Sequence, residues 1–239
     1  MKLRSKFAFA TAFASAAISA QAASVLIINH SFESPTLADV ANTNSGAGTG
    51  VFNGWNYVTQ NGASFEDFGI ENPGGGAYTG AAGNGTLSGA NGINVAYLNQ
   101  DNSGLFTGIF QNVGSLQANT QYTMTIAVGQ RLDRVNGSVE FGLYGATTGA
   151  TNIWSTGTVL STATNVSTTN GTFQDFSVTF TTGAVVSNDL YVAARFTETG
   201  ANLIQASLDN VRLDAVPEPS VALLGGLGMV GLLRRRRVS

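Results

Sequence analysis

Between Gln121 and Gly129 the side chains alternate without a break. Tyr122, Met124, Ile126 and Val128 are large and apolar, and Thr123, Thr125 and Ala127 separate them. A period of two puts one set on one face of a strand and the other set on the opposite face. The pattern recurs at Ser138–Tyr144, with Val139, Phe141 and Leu143 in step. It recurs at Thr172–Thr182 through Phe176, Val178 and Phe180, and at Leu190–Phe196 through Leu190, Val192, Ala194 and Phe196. In the final strand, Ala206–Asp214, Leu208 has one parity and Val211 and Leu213 the other, which predicts a bulge at Asp209–Asn210. Shorter strands are expected at Val25–Ile28, Gly54–Val58, Ser64–Ile70, Ile93–Leu98 and Leu105–Val113, with an edge strand at Gly157–Thr162. Leu37–Gly54 and Asn72–Asn91, rich in Gly, Asn and Thr, read as loops. Residues 23–215 show no helical period. About ten short strands between polar turns predict an all-β fold, a two-sheet antiparallel β-sandwich of jelly-roll type.

The two ends follow other rules. Lys2, Arg4 and Lys6 precede the uncharged run Phe7–Ala20, and Ala20-Gln21-Ala22 fits a small-x-small cleavage site. Residues 1–22 therefore read as a secretory signal peptide with a short helix, leaving a mature chain that starts at Ala23. At the other end, Val216-Pro217-Glu218-Pro219 leads into the uncharged Val221–Leu233 and then Arg234, Arg235, Arg236 and Arg237. Such a segment reads as a single membrane helix covering about two-thirds of a ~30 Å hydrocarbon core, with the arginines held on the cytoplasmic side. The domains are then 1–22, 23–215 and 216–239.

Residues 23–215 hold four arginines, no lysine and thirteen acids, a formal charge of −9. That balance excludes nucleic acid as a partner, since phosphate binding needs clustered basic residues. The chain has no cysteine. This rules out a thiol nucleophile, a redox pair and a thiolate zinc site. His30 is the only histidine, with no G-x-S-x-G turn to supply a partner serine. Gly74-Gly75-Gly76 lacks the lysine of a phosphate loop. Glu66, Asp67, Glu71, Asp133, Glu140 and Asp175 are the carboxylates that could pair across a substrate; solvated surface positions account for them better. Trp55, Tyr57, Tyr78, Tyr97, Tyr144 and Trp154 are the aromatic candidates for ring stacking. Trp55 belongs in a core. Trp154, in the polar stretch Thr147–Thr156, is expected to be exposed, and Trp154 with Tyr144 is the expected ligand platform.

Two resemblances add to these readings. The order Pro-Glu-Pro, apolar run and arginine cluster resembles the PEP-CTERM sorting signal of Gram-negative bacteria. It implies an exosortase-type membrane protease as partner, transient anchoring in the inner membrane, and delivery to the cell envelope or the extracellular space. Asn29-His30-Ser31-Phe32-Glu33 with Trp55, Thr120–Thr125, and Leu208-Asp209-Asn210-Val211-Arg212-Leu213 resemble the galactose-binding-like jelly rolls, which include carbohydrate-binding modules. That likeness implies a structural Ca²⁺ bound by Glu33 and Asp209, where the first and last strands meet. Together they give the expectation of a non-catalytic envelope protein associated with extracellular polysaccharide. A glycan-binding module and an ice-binding surface protein are the alternatives, the latter weakened because Thr123-Met124-Thr125 and Thr179-Phe180-Thr181 are not repeated.

Overall fold

The computed structural model describes residues 21–44, 49–59, 68–74, 76–79, 87–100, 107–196 and 204–218. The chain divides into Ala22–Pro217 and a second unit, Met1–Gln21 with Glu218–Ser239, of which only Gln21 and Glu218 are described. The signal segment before Gln21, Phe65, Glu66, Asp67, Pro219, Val221–Leu233 and Arg234–Arg237 lie outside the described residues.

The strands of Ala22–Pro217 are, in chain order, β1 (Ala23–Ser24), β2 (Asn42–Asn44), β3 (Thr49–Phe52), β4 (Trp55–Thr59), β5 (Phe68–Glu71), β6 (Val95–Gln100) and β7 (Thr107–Ser115). Then come β8 (Thr120–Gly129), β9 (Val135–Asn136), β10 (Val139–Ala146), a one-turn helix α1 (Ile153–Thr156), β11 (Thr158–Val166), β12 (Phe173–Thr181), β13 (Asp189–Phe196) and β14 (Ile204–Pro217). The larger sheet runs β12-β8-β14-β6-β5-β2, with β1 and β9 also paired to β14; the smaller runs β11-β10-β13-β7-β4-β3. All pairings are antiparallel except β9 with β14. This is the expected two-sheet sandwich.

The alternating residues meet between the sheets. Met124, Ile126 and Val128 of β8 share one core with Val139, Phe141 and Leu143 of β10 and with Val192, Ala194 and Phe196 of β13. Phe32 anchors one region of it against Trp55 and Phe68, with ring centroids 5.4 and 6.4 Å away. The expected bulge is present: the β14–β8 register shifts between Asp209 and Arg212, and Asn210 takes a positive φ of 47°. Leu208, Val211 and Leu213 consequently all reach the core despite their different parity.

Three local expectations change. Strand pairing stops at Ser24 rather than running through Val25–Ile28. Beyond it the Gln111 amide takes the place of a partner strand, accepting from Ile28 N at 2.7 Å and donating to Ile28 O at 3.0 Å. Ile27 is buried, while Leu26 and Ile28 stay 81% and 58% exposed. The Leu37–Gly54 loop contains β2 and β3, edge strands of three and four residues, too short to show an apolar alternation. The expected edge strand at Gly157–Thr162 is β11, longer at nine residues and at the border of the smaller sheet.

Candidate active site on the outer face of the larger sheet

Alternation gives every strand a second face. In β14, Ile204, Ala206 and Leu208 enter the core, so Gln205, Ser207 and Asp209 point out of the sandwich. All three are nonetheless buried, at 6%, 1% and 0% exposure. Ala96 of β6 pairs with Leu208 on one side and Ile70 on the other. Glu71, the residue after Ile70, therefore lies on the same outer face as Asp209.

The cover comes from the segment after β5. Tyr78 and Leu87 pack with Val95, Ala127 and Phe173 in a small apolar cluster, and the Tyr78 and Phe173 rings lie 4.8 Å apart. Backbone bonds fix the cover in place. Thr79 N donates to Gly171 O (2.8 Å), Leu132 N to Ala77 O (2.8 Å) and Gly171 N to Gln130 O (2.6 Å). These bonds bring Arg131 over the end of the sheet.

Glu71 sits under that cover. Its Oε2 lies 2.6 Å from Arg131 Nη1, and its Oε1 accepts from Gln205 Nε2 at 2.8 Å. Burial raises the Glu71 carboxyl above the ordinary carboxylate range, against the opposing pull of Arg131 and Gln205. Arg131 also forks onto Asp133, its Nε 2.8 Å from Oδ1 and its Nη2 2.8 Å from Oδ2. That bond lowers Asp133. Burial pushes the Tyr78 phenol up, with the Glu71 charge adding to the effect. Glu71 opens onto a cleft of about 130 Å³ bordered by Asn42, Asn72, Gly74, Arg131 and Arg134. Whole drug-sized ligands occupy pockets of roughly 300–1,000 Å³, so this cleft has room for only part of such a ligand.

Glu33 and Asp209 are held by one turn, Asn91–Asn94. Asp209 Oδ2 accepts from Asn91 N, and Glu33 Oε1 accepts from Ile93 N (2.9 Å) and Asn94 N (2.8 Å). Gly92 has φ +111°, and a Cβ there would lie 2.2 Å from Glu33 Oε1, so only glycine leaves room for the carboxylate. Burial raises Asp209 to about 8, and the Glu33 charge adds to the rise. Asp209 Oδ1 and Asn94 Oδ1 are buried without a hydrogen-bond partner. Two carboxylates and orphaned oxygens fit a hard, oxygen-seeking cation. Among the described residues no group of three or more His, Cys, Asp or Glu gathers around one point, so backbone and amide oxygens would complete such a shell.

The aromatic platform takes another form. Trp154 is half-buried on α1, its ring edge-on to Phe110 at 5.6 Å and to Tyr144 at 6.3 Å. Tyr144 is 2% exposed and donates its hydroxyl to Glu140 Oε1 at 2.6 Å. Asn152 caps the helix by accepting from Trp154 N at 3.1 Å, which turns the indole inward. His30 is exposed. Asp175 pairs with Arg212, and Glu140 with Arg195.

Residues 23–214 match the family model of HpiC1-like proteins, described as HpiC1 cyclase. The chain belongs to the HpiC1-like family. Residues 215–237 match the PEP-CTERM protein-sorting motif, a recognition signal for exosortase processing that marks an exported protein. Val216 and Pro217 of that motif pair with Gln121 and Thr120 at the end of β14. Solved structures with this fold include the Stig cyclase Fisc from Fischerella sp. TAU, in complex with (3Z)-3-(1-methyl-2-pyrrolidinylidene)-3H-indole. It is 23% identical with a TM-score of 0.64, over 83% of this chain and 100% of that one. A cyclase from the same organism, in complex with 4-(1H-indol-3-yl)butan-2-one, is 22% identical with a TM-score of 0.64, over 83% and 100%. A family 16 carbohydrate-binding module matches at 17% identity and a TM-score of 0.37, over 65% and 92%, a likeness too distant to inform function. No curated protein matches the chain at a significant level.

Membership of this cyclase family overturns the expectation of a non-catalytic protein. The lack of a thiol, of a second histidine and of a G-x-S-x-G turn does not count against a cyclase, because ring closure needs no such nucleophile. Gln205 and Ser207 were missed as well. Their signal was present as a polar rank of period two, Gln205, Ser207 and Asp209, on the strand that also carries Leu208.

Proposed function

We propose that this exported protein is a cyclase that closes a ring in an unsaturated substrate by proton transfer, with Glu71 as the acid. The observation that carries this is a raised, buried carboxyl opening onto a cleft, within a domain of a cyclase family. Glu71 gives its proton to a substrate double bond, leaving a carbocation. A second π bond attacks that carbon and closes the ring. The new cation then returns a proton to the Glu71 carboxylate, so the product is an isomer of the substrate. Arg131 and Gln205 hold the carboxylate while it is ionised. The reaction consumes no nucleotide or reductant, which suits an enzyme working outside the cytoplasm.

The Fischerella cyclases bind indole compounds, so an indole bearing an unsaturated chain is the first substrate class to test. A Ca²⁺ held by Glu33 and Asp209 is part of the proposal. It would neutralise two facing carboxylates and tie the 91–94 turn to β14. The extracellular-polysaccharide setting also stays within the proposal. A glycan site at Trp154 and Tyr144 has less support, because both rings pack on Phe110 and on each other.

The test is incubation with such indoles in D₂O, followed by mass and NMR analysis. An isomeric product carrying one deuterium is expected. Products of altered composition, or ring closure without solvent hydrogen, would reject the mechanism.

A further inference from the structure

Resting on the cyclase reading, we propose that the cleft at Glu71 is built for a substrate with an anionic group, a carboxylate, and that Arg134 is its specificity-determining residue. Three of the four arginines in 23–215 form ion pairs: Arg131 with Glu71 and Asp133, Arg195 with Glu140, and Arg212 with Asp175. Arg134 has no ion pair among the described residues. Its charge is felt by both Glu71 and Asp133, and this exposed residue borders the cleft, so its guanidinium is within reach of a ligand entering there. Arg134 is thus set apart among the described residues, where every other arginine is paired with an acid.

The rest of the lining agrees. Asn42 and Asn72 add polar lining, the Asn72 amide held by its bond to Leu37 O at 3.2 Å, while Val40 and Pro73 form an apolar border. At about 130 Å³ the space takes a small group such as a carboxylate beside Arg134 together with the adjoining part of the substrate at Glu71. The planar fork of an arginine matches a carboxylate's two oxygens, which a neutral carbonyl cannot reproduce. Arg131 is already committed, because Glu71 and Asp133 take three of its five N–H donors and both lie against its charge. The cleft thus divides its work. Arg131 manages the acid on the protein, and Arg134 is left for an anion on the substrate. Elsewhere the formal charge of −9 repels anions, so Arg134 would also set where a carboxylate approaches.

Two nearly isosteric probes test this on the purified exported protein: 3-(1H-indol-3-yl)propanoic acid and 4-(1H-indol-3-yl)butan-2-one, which differ by a carboxylate in place of a methyl ketone. Titration calorimetry at neutral pH and low salt should show the acid binding about tenfold tighter, the scale of one charge-assisted hydrogen bond. Arg134→Gln should abolish the preference, Arg134→Lys should keep part of it, and added salt should shrink it in the wild type. Equal binding of the two probes, or a preference that survives Arg134→Gln, would overturn the proposal. If neither indole binds the wild type, the indole substrate class fails, and acetate decides the anion site separately. Saturable acetate-induced shifts of the Asn72 and Gly74 amides that vanish in Arg134→Gln uphold it. Their absence from the wild type rejects it.

Discussion

The two sheets each turn an outer face toward a covering segment, and the two faces are filled in opposite ways. The smaller sheet buries Phe110, Tyr144 and Tyr191 against Ile153, with Trp154 packed on the same cluster. Its one buried acid, Glu140, is matched by Arg195 and by the Tyr144 hydroxyl. The larger sheet buries Glu71, Gln205, Ser207 and Asp209, and there burial raises both acids. Buried polar groups are costly unless fully partnered, so a fold seeking only stability would build both faces like the first. On the proposed cyclase reading, the contrast assigns structure to one side of the sandwich and chemistry to the other.

The largest expected effect comes from Glu71→Gln. The amide keeps the shape but has no acidic proton, so turnover should fall by about 10²–10⁴-fold, the usual contribution of a positioned acid. Unchanged turnover would move the acid elsewhere. The mirror experiment is Phe110→Ala. A ring at 0% exposure beneath Trp154 should cost about 3–5 kcal/mol in urea unfolding, with kcat preserved in the fraction that remains folded. A selective loss of kcat would place function on both faces. Calcium comes next. At a hundredfold excess over its Kd, a bound ion adds roughly 2.7 kcal/mol, so EDTA should lower the Tm of the wild type and leave Asp209→Ala nearly unmoved. Equal melting with and without chelator would reject the site. The smallest effect is a pH slope. Folded Glu71 keeps its proton at pH values where the unfolded chain has lost it. Its contribution to stability is present at low pH and declines as pH rises through the raised value. Glu71→Gln should flatten that decline in urea midpoints taken from about pH 4 to about pH 8, and a slope identical to wild type would contradict the assigned direction.

The core was legible because alternation is local. Tyr122–Val128 announced β8 and its buried face from seven consecutive residues, and Leu208 against Val211 located the bulge at Asn210. Glu33 and Asp209 could be named from their motifs, yet the turn that brings them together, with Gly92 making room, comes from a stretch that reads only as a glycine-rich loop. Glu71 looked like any surface acid, because its burial depends on Tyr78 and Arg131 arriving from segments far along the chain. Trp154 looked exposed for the converse reason. Its neighbours in sequence are polar, but the partners that cover it, Phe110 and Tyr144, stand on other strands. Edge strands β2 and β3 were hidden by their length, since three or four residues are too few to show a period.

The most direct test of the central claim is to find which outer face receives an indole ligand. Amide chemical shifts of the purified exported protein, titrated with 4-(1H-indol-3-yl)butan-2-one, report on both faces in one experiment. The account predicts saturable shifts at Glu71, Asn72, Arg131 and Gln205, with Phe110, Tyr144, Trp154 and Tyr191 unmoved. Shifts centred on Phe110 and Trp154, with Glu71 and Gln205 silent, would contradict it.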